Sequence, residues 1–151
     1  MELKILNTRE KKDILKTIKE QWGAELKTDL VFLLNSKFKL YLMSKDFAKL
    51  DESSLHIDKI GMYFGEVMKN KEIRLSIEGS QMVGPIAKKN VVEVSDGEAK
   101  VWLHGNNIIR KNIKESGFVI IKNNDDFIGC GRVKEEEILN LIPKTRRILS
   151  D

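Results

Sequence analysis

The stretch GFVIIKNNDDFIGCGRV, residues 117–133, restricts this chain more than any other. Two apolar runs, 117–121 and 127–133, flank the polar segment KNNDD, and that pattern predicts a β-hairpin. The second run is unusual because Gly129 and Gly131 stand either side of the chain's only cysteine, Cys130. A dinucleotide loop would need a third glycine, as G-x-G-x-x-G, between a strand and a helix. That position is Lys134, and the chain continues into an acidic turn. A metal site would need more ligands than one cysteine and two histidines, His56 and His104. A catalytic thiol would want a base beside it, and nothing local supplies one. The remaining reading is architectural. Cys130 is a small buried side chain, and its glycines permit the close approach and sharp bending of a tight barrel.

The residues around this hairpin extend the pattern. Strands are expected at 91–94, after the glycine of GNNII, and at 137–142, with SDG as a turn and 99–103 as one helical turn or a strand. Short strands at roughly ten-residue spacing with one small helix predict a compact barrel. Residues 1–90 read differently. A helix capped by Thr8 carries Ile14, Leu15, Ile18 and Trp22 at helical spacing and stops at Gly23. Two hairpins are expected, 30–34 with 38–43 and 60–68 with 73–77. Residues 46–50 predict a helical turn, and 80–87 a short helix limited by Pro85. The fold class is therefore α+β: an N-terminal antiparallel α/β domain, 1–90, and a small barrel, 91–151, with the boundary in the polar stretch 88–90.

Composition bounds the function. The chain has 151 residues, 41% hydrophobic and 33% charged, which suits a globular protein. No apolar run approaches the roughly 20 residues a membrane helix needs, and the first residues lack the apolar core of a signal peptide. One cysteine permits no internal disulfide, which fits a reducing compartment, so a cytoplasmic protein is expected. The net charge of +4 mildly favours an acidic partner. Residues 91–151 hold 10 basic and 10 acidic side chains, so any basic face there must come from segregation. Arg110, Lys111 and Lys114 cluster, as do Arg132 with Lys134, and Lys144 with Arg146 and Arg147. No metalloprotease, P-loop or nucleophile-elbow motif occurs, and no cofactor or metal is expected.

Three C-terminal segments resemble a PUA domain, the RNA-binding module named for pseudouridine synthases and archaeosine transglycosylases. LHGNNIIRKNI is similar to its glycine loop and following strand, GFVIIKNNDDFIGCGRV to its central hairpin, and EEEILNLI to its closing strand. Asn112 stands where the family often has glycine, and Asn is the next best residue for a left-handed backbone. The preceding half resembles the Nip-seven family of ribosome assembly factors. Gly61, Phe64 and Gly65 match its G-x-x-F-G strand, Ile73, Arg74, Leu75 and Ile77 its F-R-L-x-I strand, and an apolar helix near Pro85 follows. The likeness covers residues 55–142, and the tail PKTRRILSD lacks the aromatic that often follows the last strand.

The resemblance implies a PUA-type mixed β pseudo-barrel in a non-catalytic factor for pre-rRNA processing and large-subunit assembly. Its partners would be single-stranded or looped pre-rRNA and, through the N-terminal domain, pre-ribosomal proteins. The RNA-binding residues it points to are Gly105, Arg110, Lys111, Arg132, Lys134, Lys144, Arg146 and Arg147. The glycine-loop segment and the residues after the closing strand would form one basic patch. An accessory subunit of an RNA-modifying enzyme and a protein-interaction module on a PUA fold are the alternatives.

Overall fold

The computed structural model describes residues 3–48 and 61–149. The first half is an antiparallel sheet in the order β1-β2-β3-β4-β5, formed by Leu3–Ile5, Val31–Asn35, Lys39–Met43, Met62–Val67 and Ile73–Leu75. Helix α1, Thr8–Trp22, covers one face of it and buries Ile18 and Trp22 among Phe32, Leu40, Phe64 and Ile73. The residue that caps α1 is Asn7, not Thr8. Its side chain accepts from the Glu10 N–H while the Glu10 carboxylate accepts from the Asn7 N–H. Asparagine is the stronger N-cap, so Thr8 becomes the first helical residue. Gly23 ends α1 in the left-handed conformation at φ 64°, as its place in the sequence predicts.

Helix α2 is Lys45–Ala48, and the remaining residues expected in that turn lie outside the described ones, as do Ile60 and His56. Strand β5 stops at Leu75 because Ser76 caps the next helix, its hydroxyl accepting from the Gly79 N–H. Helix α3, Ile77–Val83, therefore begins three residues earlier than expected. A 3-10 turn, Gly84–Ile86, follows it where Pro85 falls. Residues 87–90 then lead to the second sheet.

That sheet has the order β6-β8-β9-β10-β7, with β6 Val91–Glu93, β7 Ile108–Ile109, β8 Phe118–Asn123, β9 Asp126–Lys134 and β10 Glu137–Asn140. The β6–β8 pair is parallel and the others antiparallel, so the sheet is mixed and curls on itself. SDG is not a turn. Ser95 caps an eight-residue helix, α4, Asp96–Leu103, in a capping box with Glu98. S-x-x-E is the signature that identifies it. Trp102 from α4 fills the barrel beside Val119, Ile121 and Ile138.

Alternation along β8 and β9 explains GCG. Val119 and Ile121 face the barrel interior, whereas Phe118, Ile120 and Cys130 face the core around α1. A Cβ on Gly131 would lie 2.5 Å from Ile138 Cγ2 and 2.8 Å from Trp102 Cη2. Gly129, at φ 138°, sits where the β8–β9 register shifts. The glycines admit Trp102 on one side while Cys130 packs on the other, where burial pushes its thiol up to about 12. Fully burying a side chain such as Phe118 or Ile120 is worth roughly 1.5–3 kcal/mol, so these residues, with Cys130, join the two halves through one shared core. Helix α3 adds to this by packing against both β4 and β9. No helix among the described residues is long and apolar enough to cross a membrane.

Candidate nucleic-acid interface

The loop after α4 is clamped to the end of the closing strand. Asn140 donates through its amide to the carbonyls of Trp102 (2.7 Å) and Asn106 (2.9 Å), and its backbone N–H donates to Asn107 Oδ1 at 2.8 Å. Its own Oδ1 accepts from the Ile142 N–H at 2.9 Å. One side chain thus ties the loop, the strand and the tail together. Nothing in its sequence context marks it, since a strand-end asparagine is most often solvated. The Ile148 N–H then donates to the Leu103 carbonyl at 2.9 Å, laying the tail across the loop.

Gly105 adopts φ 99°, and a Cβ there would lie 2.5 Å from Arg147 Cδ. The Arg147 side chain therefore lies directly over the glycine, its Nε donating to the Ile142 carbonyl at 3.0 Å. Its neighbour Arg146 pairs with Glu78 of α3 at 2.7 Å. Lys144, in the 3-10 turn Lys144–Arg146, is exposed. Around these cations Val101, Ile148 and Leu149 expose apolar surface. Of the expected tail cations, the structure thus lays Arg147 on Gly105, while Arg146 turns to Glu78.

Arg110 and Lys111 lie elsewhere. Asn107 sits beside Asn140, but Ile109 pairs with Glu137 at the other end of β10, so the chain carries Arg110 and Lys111 away from Gly105. Instead of one patch, Gly105 with the tail lies at one end of the closing strand and Arg110 and Lys111 with Lys134 at the other, and Arg132 belongs to neither group. The Arg110 guanidinium donates to both Glu98 oxygens at 3.2 Å and to the Glu93 carbonyl at 3.1 Å. Burial pushes the Glu98 carboxyl up, but hydrogen bonds from the Ser95 backbone and from Arg110 outweigh it and leave Glu98 below its ordinary value. Asn112, at φ 59°, takes the left-handed conformation and donates its N–H to Glu136. Lys134 stands opposite Glu137 at this same end, and Arg132 is exposed between Phe118 and Leu139. Among the described residues no group of three or more His, Cys, Asp or Glu side chains could hold a metal ion.

The fold and this interface define a mixed α+β protein with a PUA-like second half. The chain is similar in structure to a PUA-domain protein from Aeropyrum pernix K1 crystallised as a tartrate complex, at a TM-score of 0.57 and 9% identity. That likeness covers 95% of this chain and 86% of the other. Residues 89–148 match the family model described as the methyltransferase RsmF PUA domain. No curated protein matches the sequence. The family match and the shared fold support a PUA domain in the C-terminal part.

Proposed function

We propose that this chain binds RNA through the loop at Gly105 and the tail that closes over it, and acts without chemistry of its own in assembly of the large ribosomal subunit. The observation that carries this reading is the clamp itself. A PUA-form barrel presents a left-handed glycine with Arg147 laid over it, and Lys144 and Arg146 stand in the same tail segment. Phosphate contacts would supply most of the affinity, and unstacked bases would meet the loop backbone and the apolar side chains beside it. The first sheet and α1 would serve pre-ribosomal proteins. The assembly role rests on the G-x-x-F-G and I-R-L-x-I strands of the first half.

Filter binding with matched single-stranded and hairpin RNAs tests the binding. Submicromolar retention of the single strand is expected, and its absence would leave a protein-interaction module. A second reading has a specific observation in its favour, because the matched family model is the PUA domain of a methyltransferase. The chain would then be the RNA-holding accessory of a modifying enzyme. Association with large-subunit precursors supports the first reading, and copurification with a modification activity supports the second.

A further inference from the structure

An open cleft of about 640 Å³ lies at the seam between the two halves, away from the Gly105 loop. The connecting residues after α3 form one wall, and the second sheet with the 114–115 loop forms the other. Four lysines line it: Lys88, Lys89, Lys114 and Lys122. None makes an ion pair among the described residues, although Glu93 and Glu115 share the lining and Glu25 lies near Lys88. Lys122 stands in the sheet between Glu93 and Phe127, and its ammonium rests 5.8 Å from the Phe127 ring centroid.

The cleft is built on fixed backbone. The Lys88 and Lys89 N–H groups donate to the Trp22 carbonyl at 2.7 and 3.1 Å, and the Asn90 amide donates to the Gln21 carbonyl at 2.6 Å. These bonds satisfy carbonyls that the end of α1 leaves open. Asn90, at φ 56°, then turns the chain into β6, and its side chain and carbonyl accept from Ser116 and Ile120. The two connector lysines are thus fixed to the end of α1, and Asn90 beside them ties the connector to the barrel.

We infer that this cleft is a second contact for the RNA backbone, so that the bound RNA runs past the barrel and across the seam onto the first half. This rests on the RNA-binding reading and names how that RNA is held. Lysine ammoniums are compact point charges suited to phosphate rather than to the planar, bidentate reading of bases. Phe127, the aromatic ring of the lining, is packed on Gly84, whose added Cβ would lie 2.2 Å from it, and carries the Lys122 ammonium, so the cleft offers mainly charge. The contact is therefore indifferent to sequence. The loop that carries Arg110, Lys111 and Lys114 leads from the barrel edge toward the cleft, and Arg110 itself rests on the carbonyl of Glu93 in the cleft wall.

The test is the salt dependence of binding of a fluorescein-labelled 20-nucleotide single-stranded RNA to the full chain. Three proteins are compared: wild type; a cleft variant with Lys88, Lys89, Lys114 and Lys122 all changed to Ala; and a control with the exposed Lys12, Lys16, Lys27 and Lys37 changed to Ala. Each phosphate released from a single strand lowers the slope of log affinity against log salt by about 0.7. The cleft variant should lose roughly 1.4 or more from the slope, for two or more phosphates, while remaining folded by circular dichroism. The control should lose less than half of that. Binding by wild type with equal slopes in the two variants overturns the cleft and leaves the RNA reading standing. Absence of binding by wild type overturns both. An unchanged RNA slope with loss of binding to poly-glutamate would make the cleft a protein site and likewise overturn the proposal.

Discussion

At the closing end of the barrel, Arg146 is paired with Glu78 and Arg147 lies over Gly105 with its Nε on a carbonyl. In the seam cleft, Lys88, Lys89, Lys114 and Lys122 meet no ion-pair partner among the described residues. The two regions carry cations of the same sign and comparable number, yet they use them differently. An arginine has five donors in a fixed fork and is readily recruited to hold carbonyls and carboxylates in the fold. A lysine keeps its charge at the end of a flexible stem, in solvent. The tail is thus a shaped surface whose charge is partly engaged, and the cleft is a charged surface whose backbone is fixed.

Changes at the tail should therefore disturb folding, and changes in the cleft should not. The largest effect is expected for Gly105→Val, which combines a disfavoured backbone with displacement of Arg147. A loss of about 2–4 kcal/mol is expected in urea unfolding. A loss below 1 kcal/mol would mean that the arginine is not locked over the glycine. Cys130→Ser should cost about 1–3 kcal/mol, since a hydroxyl would enter the core shared by both halves. The native thiol should also resist a disulfide reagent at pH 8, because it is buried and held neutral. Its raised value means this contribution is intact below the unfolded thiol's value of 9.0 and is lost as pH rises toward 12. Rapid native labelling would contradict that burial.

Arg110→Ala should cost only about 0.2–1 kcal/mol, as the pair with Glu98 is partly exposed. Glu98 lies below its ordinary 4.5, so the pair contributes above that pH and fades as the carboxylate is protonated below it. Unfolding curves of wild type and variant at pH 7 and pH 3 check this, and an equal difference at both would exclude the pair as its cause. The smallest effect is expected for the four cleft lysines, each within about 0.5 kcal/mol on replacement by Ala. A large loss there would make the cleft structural, like the tail.

Periodicity and punctuation made much of the fold legible. The Phe127 strand and the Gly23 stop follow from residue types that admit few alternatives, and the left-handed Asn112 from the likeness to a module that often has glycine there. Helix α4 was hidden because Ser95, Asp96 and Gly97 spell a turn as well as a cap, and only Glu98 three residues after the serine decides between them. The meeting of Gly105 with Arg147 was legible through the likeness to the PUA module. The engagement of the arginines was not, since Arg146 finds Glu78 across 68 residues. The cleft was equally hidden. Its lysines come from a connector, a loop and a strand, and only the hydrogen bonds of 88–90 to the end of α1 bring them together.

The most direct test is a titration of the isotope-labelled chain with a short single-stranded RNA, followed through backbone amide shifts; at 17.4 kDa the protein suits the method. The predicted result is a continuous set of perturbed amides at Gly105–Asn107, Arg146–Ile148, Lys88–Asn90 and Lys114–Glu115, while the exposed face of α1 stays unmoved. Shifts confined to α1 and the outer face of the first sheet, or no shifts at millimolar RNA, would contradict the account.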